Sequence, residues 1–432
     1  MDSRLPGVTP AERDRVVCHV DVDCFYAACE RLREPELRGE AVVVGMGYEA
    51  EEPHGAVATA SYEAREHGVE SAMAISEALD LLPRRAEDGD GGEAEPADDP
   101  DAEATATGYY RPVDMDYYES VAADVKAILH DAADTVREVS VDEAYLDVTD
   151  AVEWADARDF GRELKARIAE EVGVVASVGI APTMSAAKIA SDHDKPDGLV
   201  VVEPGEVREF LAPLDVAEVH NVGPVTARAL REMGVETAGD LAETDPERLA
   251  DRFGERGREI RAYARGEDDR EVEPVGRPKS LSRESAFTEA TSDPERKRER
   301  VRGLATDVAD RARREGALYR TIGIKVVTPP FDVNTRAESL PGPVSDADLV
   351  RETALDLLEE FADSEVRKLG VRVSNLSFPE GDQADLSGWD DGGEAGAASG
   401  GRQPREGLAD GEDRPSDPQR GLSGQTTLAD FT

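Results

Sequence analysis

The sequence predicts a multidomain α/β (α+β) protein, and three observations carry that reading. From residue 15 to about 203, apolar β-branched runs alternate with two long helical patterns, which suggests a mixed sheet with helices packed on one face. From 204 to 266 the pattern is helical throughout, and from 279 to 379 strands and helices return as a second α/β unit. The chain has 432 residues, enough for two to four domains.

Residues 1–14 are polar and read as a loose leader. Val16, Val17, Val20 and Val22 then supply a buried strand, and Ala27, Ala28, Glu30, Arg31 and Leu32 favour a helix after it. Residues 41–44 and 56–60 are further strands, Ser61 is placed to cap a helix, and 73–82 reads as helical. Residues 87–107 hold nine acids and no base, so they cannot bury a core and are expected to be a disordered insertion. Helical character resumes over 109–135. Residues 138–148 alternate apolar and polar and read as a β-hairpin with Asp142 and Glu143 near its tip. A helix over 152–172, a strand over 174–180, a helix over 183–191 and a strand over 199–202 complete this region.

Within the helical segment, Asn221-Val222-Gly223-Pro224-Val225 is a Gly-Pro turn followed by a helix, a geometry that aims backbone N–H groups at a phosphate. Residues 267–278 read as a tether. In the second unit, 280–288, 319–327 and 367–378 read as strands, and 294–314 and 346–361 as helices. Residues 380–424 are rich in Gly, Asp, Ala and Ser and are expected to be a disordered linker.

Net charge is −45 and the pI near 4.4, which taken alone speaks against a nucleic-acid partner. The acids are spread along the whole chain, however, as in proteins of a salt-rich, halophilic cytoplasm. At roughly molar salt the Debye length is about 3 Å, so only local basic patches matter there. Such a patch exists: residues 277–325 carry thirteen bases against eight acids, with Arg296, Lys297, Arg298 and Arg300 crowding the helix over 294–314. They are read as a DNA-backbone patch, with ion pairing along the helix the simpler alternative. The three cysteines, Cys18, Cys24 and Cys29, fit no metal spacing and read as packing residues. No run of 18 apolar residues and no apolar leader is present, so a cytoplasmic protein without membrane contact is expected.

Two acidic stretches carry the chemistry. In His19-Val20-Asp21-Val22-Asp23-Cys24-Phe25-Tyr26, a strand this apolar bears two carboxylates two residues apart, which a regular strand points to one face. Buried charges are costly unless paired or bound to a metal. If the hairpin with Asp142 and Glu143 is a neighbour, three carboxylates converge, and oxygen-only ligands suit Mg²⁺. Two such ions can hold the attacking and leaving oxygens of a phosphoryl transfer.

These motifs, HVDVDCFYA, the segment from Ala58 to Arg65, SVDEAYLD from Ser140, and AAKIASDHDKPDG from Ala186, resemble in order and spacing the Y-family, or translesion, DNA polymerases. The resemblance runs from about residue 16 to 379, and the subgroup it is similar to is DNA polymerase IV. It implies a ferredoxin-like palm with small fingers over 15–203, a helix-hairpin-helix thumb over 204–266 and a little finger over 279–379. It implies that Asp21, Asp142 and the Val22 carbonyl hold the metal on an incoming dNTP. Asp21, Asp142 and Glu143 would hold a second Mg²⁺ that lowers the pKa of the primer 3′-OH, with Glu143 the catalytic residue. Tyr26, beside Phe25, matches the steric gate against ribonucleotides, and Tyr62, Arg65 and Lys195 match triphosphate contacts. Lys188 is a weaker candidate for that role, and Asp23 is expected to be structural. Gly223 and Val225 would meet primer–template DNA.

The last eight residues, 425–432, place Gln425, Leu428 and Phe431 like a sliding-clamp peptide, with one aromatic in place of two. The expected product is a monomeric, error-prone, poorly processive polymerase. A palm-domain nucleotidyl cyclase, or a non-catalytic DNA-damage scaffold, is the alternative.

Overall fold

The computed structural model describes residues 14–48, 55–85 and 106–379. Most of the expected leader and of the acidic insertion, with the 380–424 linker and the clamp-like peptide with Gln425, Leu428 and Phe431, lie outside the described residues. The chain divides into two compact units between Arg277 and Pro278. Among the described residues no helix is long and apolar enough to cross a membrane.

The first unit opens with β1 (Val17–Val22), whose six residues are all buried. It continues through α1 (Phe25–Arg33), β2 (Val42–Met46), β3 (Ala56–Ala60), α2 (Tyr62–Glu66), α3 (Ile75–Leu81), β4 (Tyr109–Pro112) and α4 (Met115–Ala132). Then come β5 (Thr135–Glu138), β6 (Glu143–Asp147), α5 (Ala157–Glu171), β7 (Ala176–Ala181), α6 (Met184–His193) and β8 (Leu199–Val201). Helices α7 (Val207–Leu211), α8 (Pro224–Glu232), α9 (Ala238–Glu243), α10 (Pro246–Phe253) and α11 (Glu255–Ala264) close it.

Five strands form a sheet in the order β5-β6-β1-β7-β8, antiparallel except for the β7–β8 pair. β1 sits at its centre, which is why all six of its residues, His19 and Asp21 included, are buried. Helices α5 and α6 pack on β7 and β8. α6 comes so close to β7 that a Cβ on Gly179 would collide with the Ala187 carbonyl and Ser191 N. Thr183 caps α6 by accepting from Ala186 N. Residues of α6 and of α7–α11 share one apolar core, including Ala187, Leu211, Leu230 and Ile260.

A smaller sheet in the order β3-β2-β4 has its own core around Val43, Ile75 and Tyr110. Here the helical reading of 109–135 needs correction. Tyr109–Pro112 is a strand, parallel to β2, and the helix begins only after Asp114, whose carboxylate accepts from Tyr117 N. Two tyrosines favour a strand, and Pro112 removes a helical N–H.

The second unit contains β9 (Ser280–Thr291), α12 (Pro294–Arg314), β10 (Tyr319–Thr328), β11 (Asp332–Val344), α13 (Ala347–Leu358) and β12 (Val366–Ser374). Its antiparallel sheet runs β11-β10-β12-β9, with α12 packed on β9 and β12, and α13 on β10 and β11. The thirteen-residue β11 went unpredicted. It is an edge strand with little buried surface, and Pro341 and Pro343 are tolerated there, so it lacks the apolar alternation that reveals inner strands.

Candidate active site

The register of the central sheet sets Asp21 opposite Glu143 on one side and Ser177 on the other. Past the last pair, Val22 N donates to the Asp142 carbonyl at 3.0 Å, tying the β5–β6 turn to the end of β1. Ser140 shapes that turn: its hydroxyl donates to Asp142 Oδ1 at 2.5 Å and accepts from the N–H groups of Asp142 and Glu143. Asp21, Asp142 and Glu143, separated by some 120 positions in the chain, are thereby gathered at the end of one strand.

Two lysines answer these acids. Lys188, on α6, donates to Asp21 Oδ2 at 2.9 Å and to Glu143 Oε1 at 2.5 Å. Lys195 lies 2.6 Å from Asp21 Oδ1 and 2.9 Å from Asp192. Burial favours a neutral Asp21, but the two ammonium groups together outweigh it and hold its carboxyl well below the usual range. Burial pushes Glu143 up to about 7, with Asp21 adding to the rise and Lys188 opposing it. Asp142 is raised by burial and then by Asp21. Lys188, the weaker candidate by resemblance, has a side chain only 16% exposed and joins two of the acids.

The donor set is all oxygen and its neutralising charges are ammonium groups, so the residues fit a hard divalent cation. Among the described residues no three His, Cys, Asp or Glu side chains are yet arranged around one point for an ion; Asp21 and Glu143 turn to Lys188 instead.

Asp23 does not share the face of Asp21. β1 ends at Val22, and Cys24 takes a left-handed φ of 47°, so the two-residue strand period no longer applies. The Asp23 carboxylate turns to Ser177, to Tyr62 and to the backbone of Asp197. Tyr62 Oη donates to it at 3.2 Å, and the Arg65 guanidinium lies over the Tyr62 ring at 4.9 Å while its Nε donates to the Ala60 carbonyl. Tyr26 is buried and stacked on Tyr118 at 4.6 Å, and Tyr118 donates to the buried Glu30 at 2.6 Å. Burial pushes the Tyr26 phenol up to about 12. Phe25, also buried, lies 5.9 Å from Tyr26.

In the helical segment Gly223 is the cap of α8, Pro224 its first residue, and Val225 is 80% exposed beside them. A groove of about 640 Å³ lined by Val222, Pro224, Arg228 and Arg231 adjoins this turn.

The α12 cluster needs correction. Lys297 is buried, its ammonium capping the carbonyls of Phe361, Ala362 and Ser364 at 2.6–2.9 Å, so it has no charge to offer a ligand. Arg298 pairs with Glu295 and Glu359, and Arg300 lies over the Phe287 ring and donates to Ser285 and to the Ala286 carbonyl. Arg296 lies 5.9 Å from the same ring. Much of the charge on this helix is spent internally.

The opposite face of the sheet carries a second group of bases, two of them paired with Glu284. Its rows, read from the strand register, are Ala286-Lys368-Val327-Val333, Glu284-Gly370-Lys325-Thr335, Ser282-Arg372-Gly323-Ala337 and Ser280-Ser374-Thr321-Ser339. Small and hydroxyl residues surround three bases, and Glu284 is the one acid in the grid. No charge run marks this face in the sequence, because its residues come from four strands at every second position.

Comparison with known proteins adds three matches. Residues 20–192 match the impB/mucB/samB family, 278–386 its C-terminal domain, and 204–235 its helix-hairpin-helix motif. The chain is 63% identical over 386 residues to DNA polymerase IV of Halobacterium salinarum, covering 89% of this chain and 90% of that one. It is 40% identical over 363 residues to DNA polymerase IV of Methanoculleus marisnigri, covering 84% and 94%. Among solved structures it is similar to a Y-family DNA polymerase chimera of Dbh and Dpo4, with a TM-score of 0.73 and 27% identity over 84% of this chain and 99% of that one. It is also similar to the insertion ternary complex of Dbh DNA polymerase, with a TM-score of 0.58 and 26% identity over the same shares.

Proposed function

The chain belongs to the impB/mucB/samB family, the Y-family DNA polymerases, and we propose that its cluster of Asp21, Asp142, Glu143, Lys188 and Lys195 is where a primer 3′-OH meets an incoming dNTP. It is a DNA-directed DNA polymerase of the translesion type. Neither a cyclase nor a non-catalytic scaffold finds support among its relatives.

The observation that carries the assignment is the β1–β6 register, which sets Asp21 against Glu143 and fastens Asp142 beside Val22. Asp21, Asp142, Glu143 and the Val22 carbonyl would hold Mg²⁺, two ions per site. Bound there, the metal supplies positive charge to the triphosphate and acidifies the primer hydroxyl. The chain's own groups do the positioning that dominates phosphoryl transfer. Glu143, set opposite Asp21 by the strand register, would complete the oxygen ligands of the ion that acidifies the primer hydroxyl. Lys195, Tyr62 and Arg65 supply an ammonium, a hydroxyl and a guanidinium fork for phosphate oxygens. The ring of Tyr26, held by its stack on Tyr118, stands where a ribose 2′-OH would go.

DNA would lie against the α8 cap at Gly223 and Val225 and against the open face of the second sheet. Lys325, Lys368 and Arg372 are its phosphate contacts; Arg296, Arg298 and Arg300 lie on the helix side and contribute less. Gln425, Leu428 and Phe431 are proposed to dock on the sliding clamp. The enzyme is proposed to work as a monomer in the cytoplasm.

Primer extension with Mg²⁺ at high KCl, beside Asp142→Ala, tests the core assignment. Extension by the native chain and a loss of at least about 10³-fold in the variant, of the size expected when transition-state charge loses its partner, is the expected result. Extension that survives in Asp142→Ala would remove the cluster from the chemistry.

A further inference from the structure

Asp23 is one of the most buried carboxylates of the first unit, and the chemistry assigned above makes no use of it. Its contacts are unusually convergent. Oδ1 accepts from Tyr62 Oη at 3.2 Å and from Ser177 Oγ at 3.0 Å. Oδ2 accepts from Asp197 N at 2.8 Å, with Ser177 Oγ at 3.1 Å. Ser177 in turn accepts from Gly198 N at 3.1 Å. Lys165, reaching over from α5, donates to the carbonyls of Asp197 and Gly198 and pairs with the Asp197 carboxylate at 3.0 Å.

The elements joined here are separate in the chain. Tyr62 opens α2, and Asp197 follows two residues after Lys195. Each brings one phosphate-seeking group to the site, and neither has a backbone connection to the other. A carboxylate with two oxygens, each able to accept more than one hydrogen bond, can hold both at once. Few other side chains of this size can do so, since an asparagine offers a single acceptor oxygen and turns two N–H donors to the other side.

We propose that Asp23 is a positioning residue for the incoming nucleotide, holding Tyr62 and the Lys195 loop in one arrangement before binding; the single Tyr62 hydroxyl proton then turns from Asp23 to a triphosphate oxygen, and the Lys195 ammonium grips the same group. The inference rests on the reading of Tyr62 and Lys195 as triphosphate contacts. Asp23 touches neither substrate nor the reacting atoms. Its work is done before binding, by sparing the nucleotide the ordering of two mobile groups. The signature of that role is a change in KM for dNTP with little change in kcat, because once the nucleotide is held the chemical step uses other residues.

The test is steady-state primer extension with the full chain at high KCl, comparing native protein, Asp23→Asn, Tyr62→Phe, Lys195→Ala and the Asp23→Asn/Tyr62→Phe double variant. Melting temperatures are recorded alongside. In Asp23→Asn the KM for dNTP is expected to rise about tenfold with kcat within about threefold. In the double variant it is expected to rise by clearly less than the product of the two single effects, since both act through one contact. Should Asp23→Asn fail to fold, Ser177→Ala removes the shared donor and should raise KM in the same direction with kcat kept. If Tyr62→Phe and Lys195→Ala raise KM while Asp23→Asn and Ser177→Ala do not, or lower only kcat or the melting temperature, the positioning role is overturned. If Tyr62→Phe and Lys195→Ala leave KM unchanged, the triphosphate assignment itself fails instead.

Discussion

Lys188 shows how much a single side chain decides. Its ammonium stands between Asp21 and Glu143, and without it two facing carboxylates share a buried spot. Breaking a buried pair by removing one partner costs about 3–5 kcal/mol. Lys188→Met should therefore melt several degrees below the native chain in chelator, and added divalent cation should recover most of the difference. Equal melting temperatures in chelator would show that Lys188 carries no such load. At the proposed steric gate, Tyr26→Ala should admit ribonucleotides, measured as the ratio of rNTP to dNTP incorporation; Tyr118→Ala should do so more weakly, by loosening the stack that holds the ring. The acids were legible in the sequence because charge on an apolar strand is conspicuous. The partner of Asp21 and Glu143 was not, because Lys188 sits on a helix whose sequence resembles any lysine-bearing surface helix; only the close approach of α6 to β7 at Gly179 turns it inward.

At the scale of elements, the inner strands and long helices could be read from periodicity, and the 294–314 reading matches α12 to the residue, which the structure caps with Asp293 and opens on Pro294. The strands β4 and β11 could not, since one follows a helix-neutral stretch and the other has an edge position without an apolar face. A second lesson concerns charge. A basic run marks α12, yet three further bases, two of them paired with Glu284, stand on the other face of the sheet. Lys297→Ala should leave three carbonyls without a donor and destabilise the second unit by roughly 3 kcal/mol, read by denaturant unfolding. Its affinity for duplex DNA should stay as it was. Arg372→Ala should do the reverse: stability nearly unchanged, duplex affinity lower, and the slope of log K against log salt reduced by about 1.

For the whole molecule, pH is the informative variable. His19 is fully buried, its Nδ1 2.8 Å from Ser191 Oγ, and Ser191 itself donates to the Lys188 carbonyl. Burial, followed by Lys188, holds the His19 pKa well below the ordinary value, and burial lowers His220 to about 4. Both are neutral when folded, so below about pH 6.5 the unfolded chain binds protons that the folded chain refuses. Stability present above pH 6.5 is then lost toward pH 4, by about 1.4 kcal/mol per pH unit for each histidine. Glu143 acts in the opposite sense, since its raised pKa lets the folded chain bind a proton between about pH 7 and 4.5. The net slope in chelator should be shallower than that of two histidines, because the raised carboxyls of Glu143, Asp142 and Asp23 oppose it, and His220→Gln should flatten it further; an unchanged slope in that variant would place the loss elsewhere. The sequence supplied the charge excess and the likeness to a family, but a histidine within a strand looks the same whether it is a ligand, a switch or filler.

Glu284 has a consequence for how tightly the proposed DNA face of the second unit would hold a duplex. Its carboxylate passes over Gly370, where a Cβ would lie 2.8 Å from Glu284 Cγ, and reaches Lys325 at 3.0 Å and Lys368 at 2.5 Å on the neighbouring strands. Those bonds knit three strands together and at the same moment muffle two of the face's three positive charges. Robustness and adhesion therefore pull in opposite directions at one side chain. On a face proposed to hold a duplex, the side chain that knits the strands is thus also the one that weakens the grip.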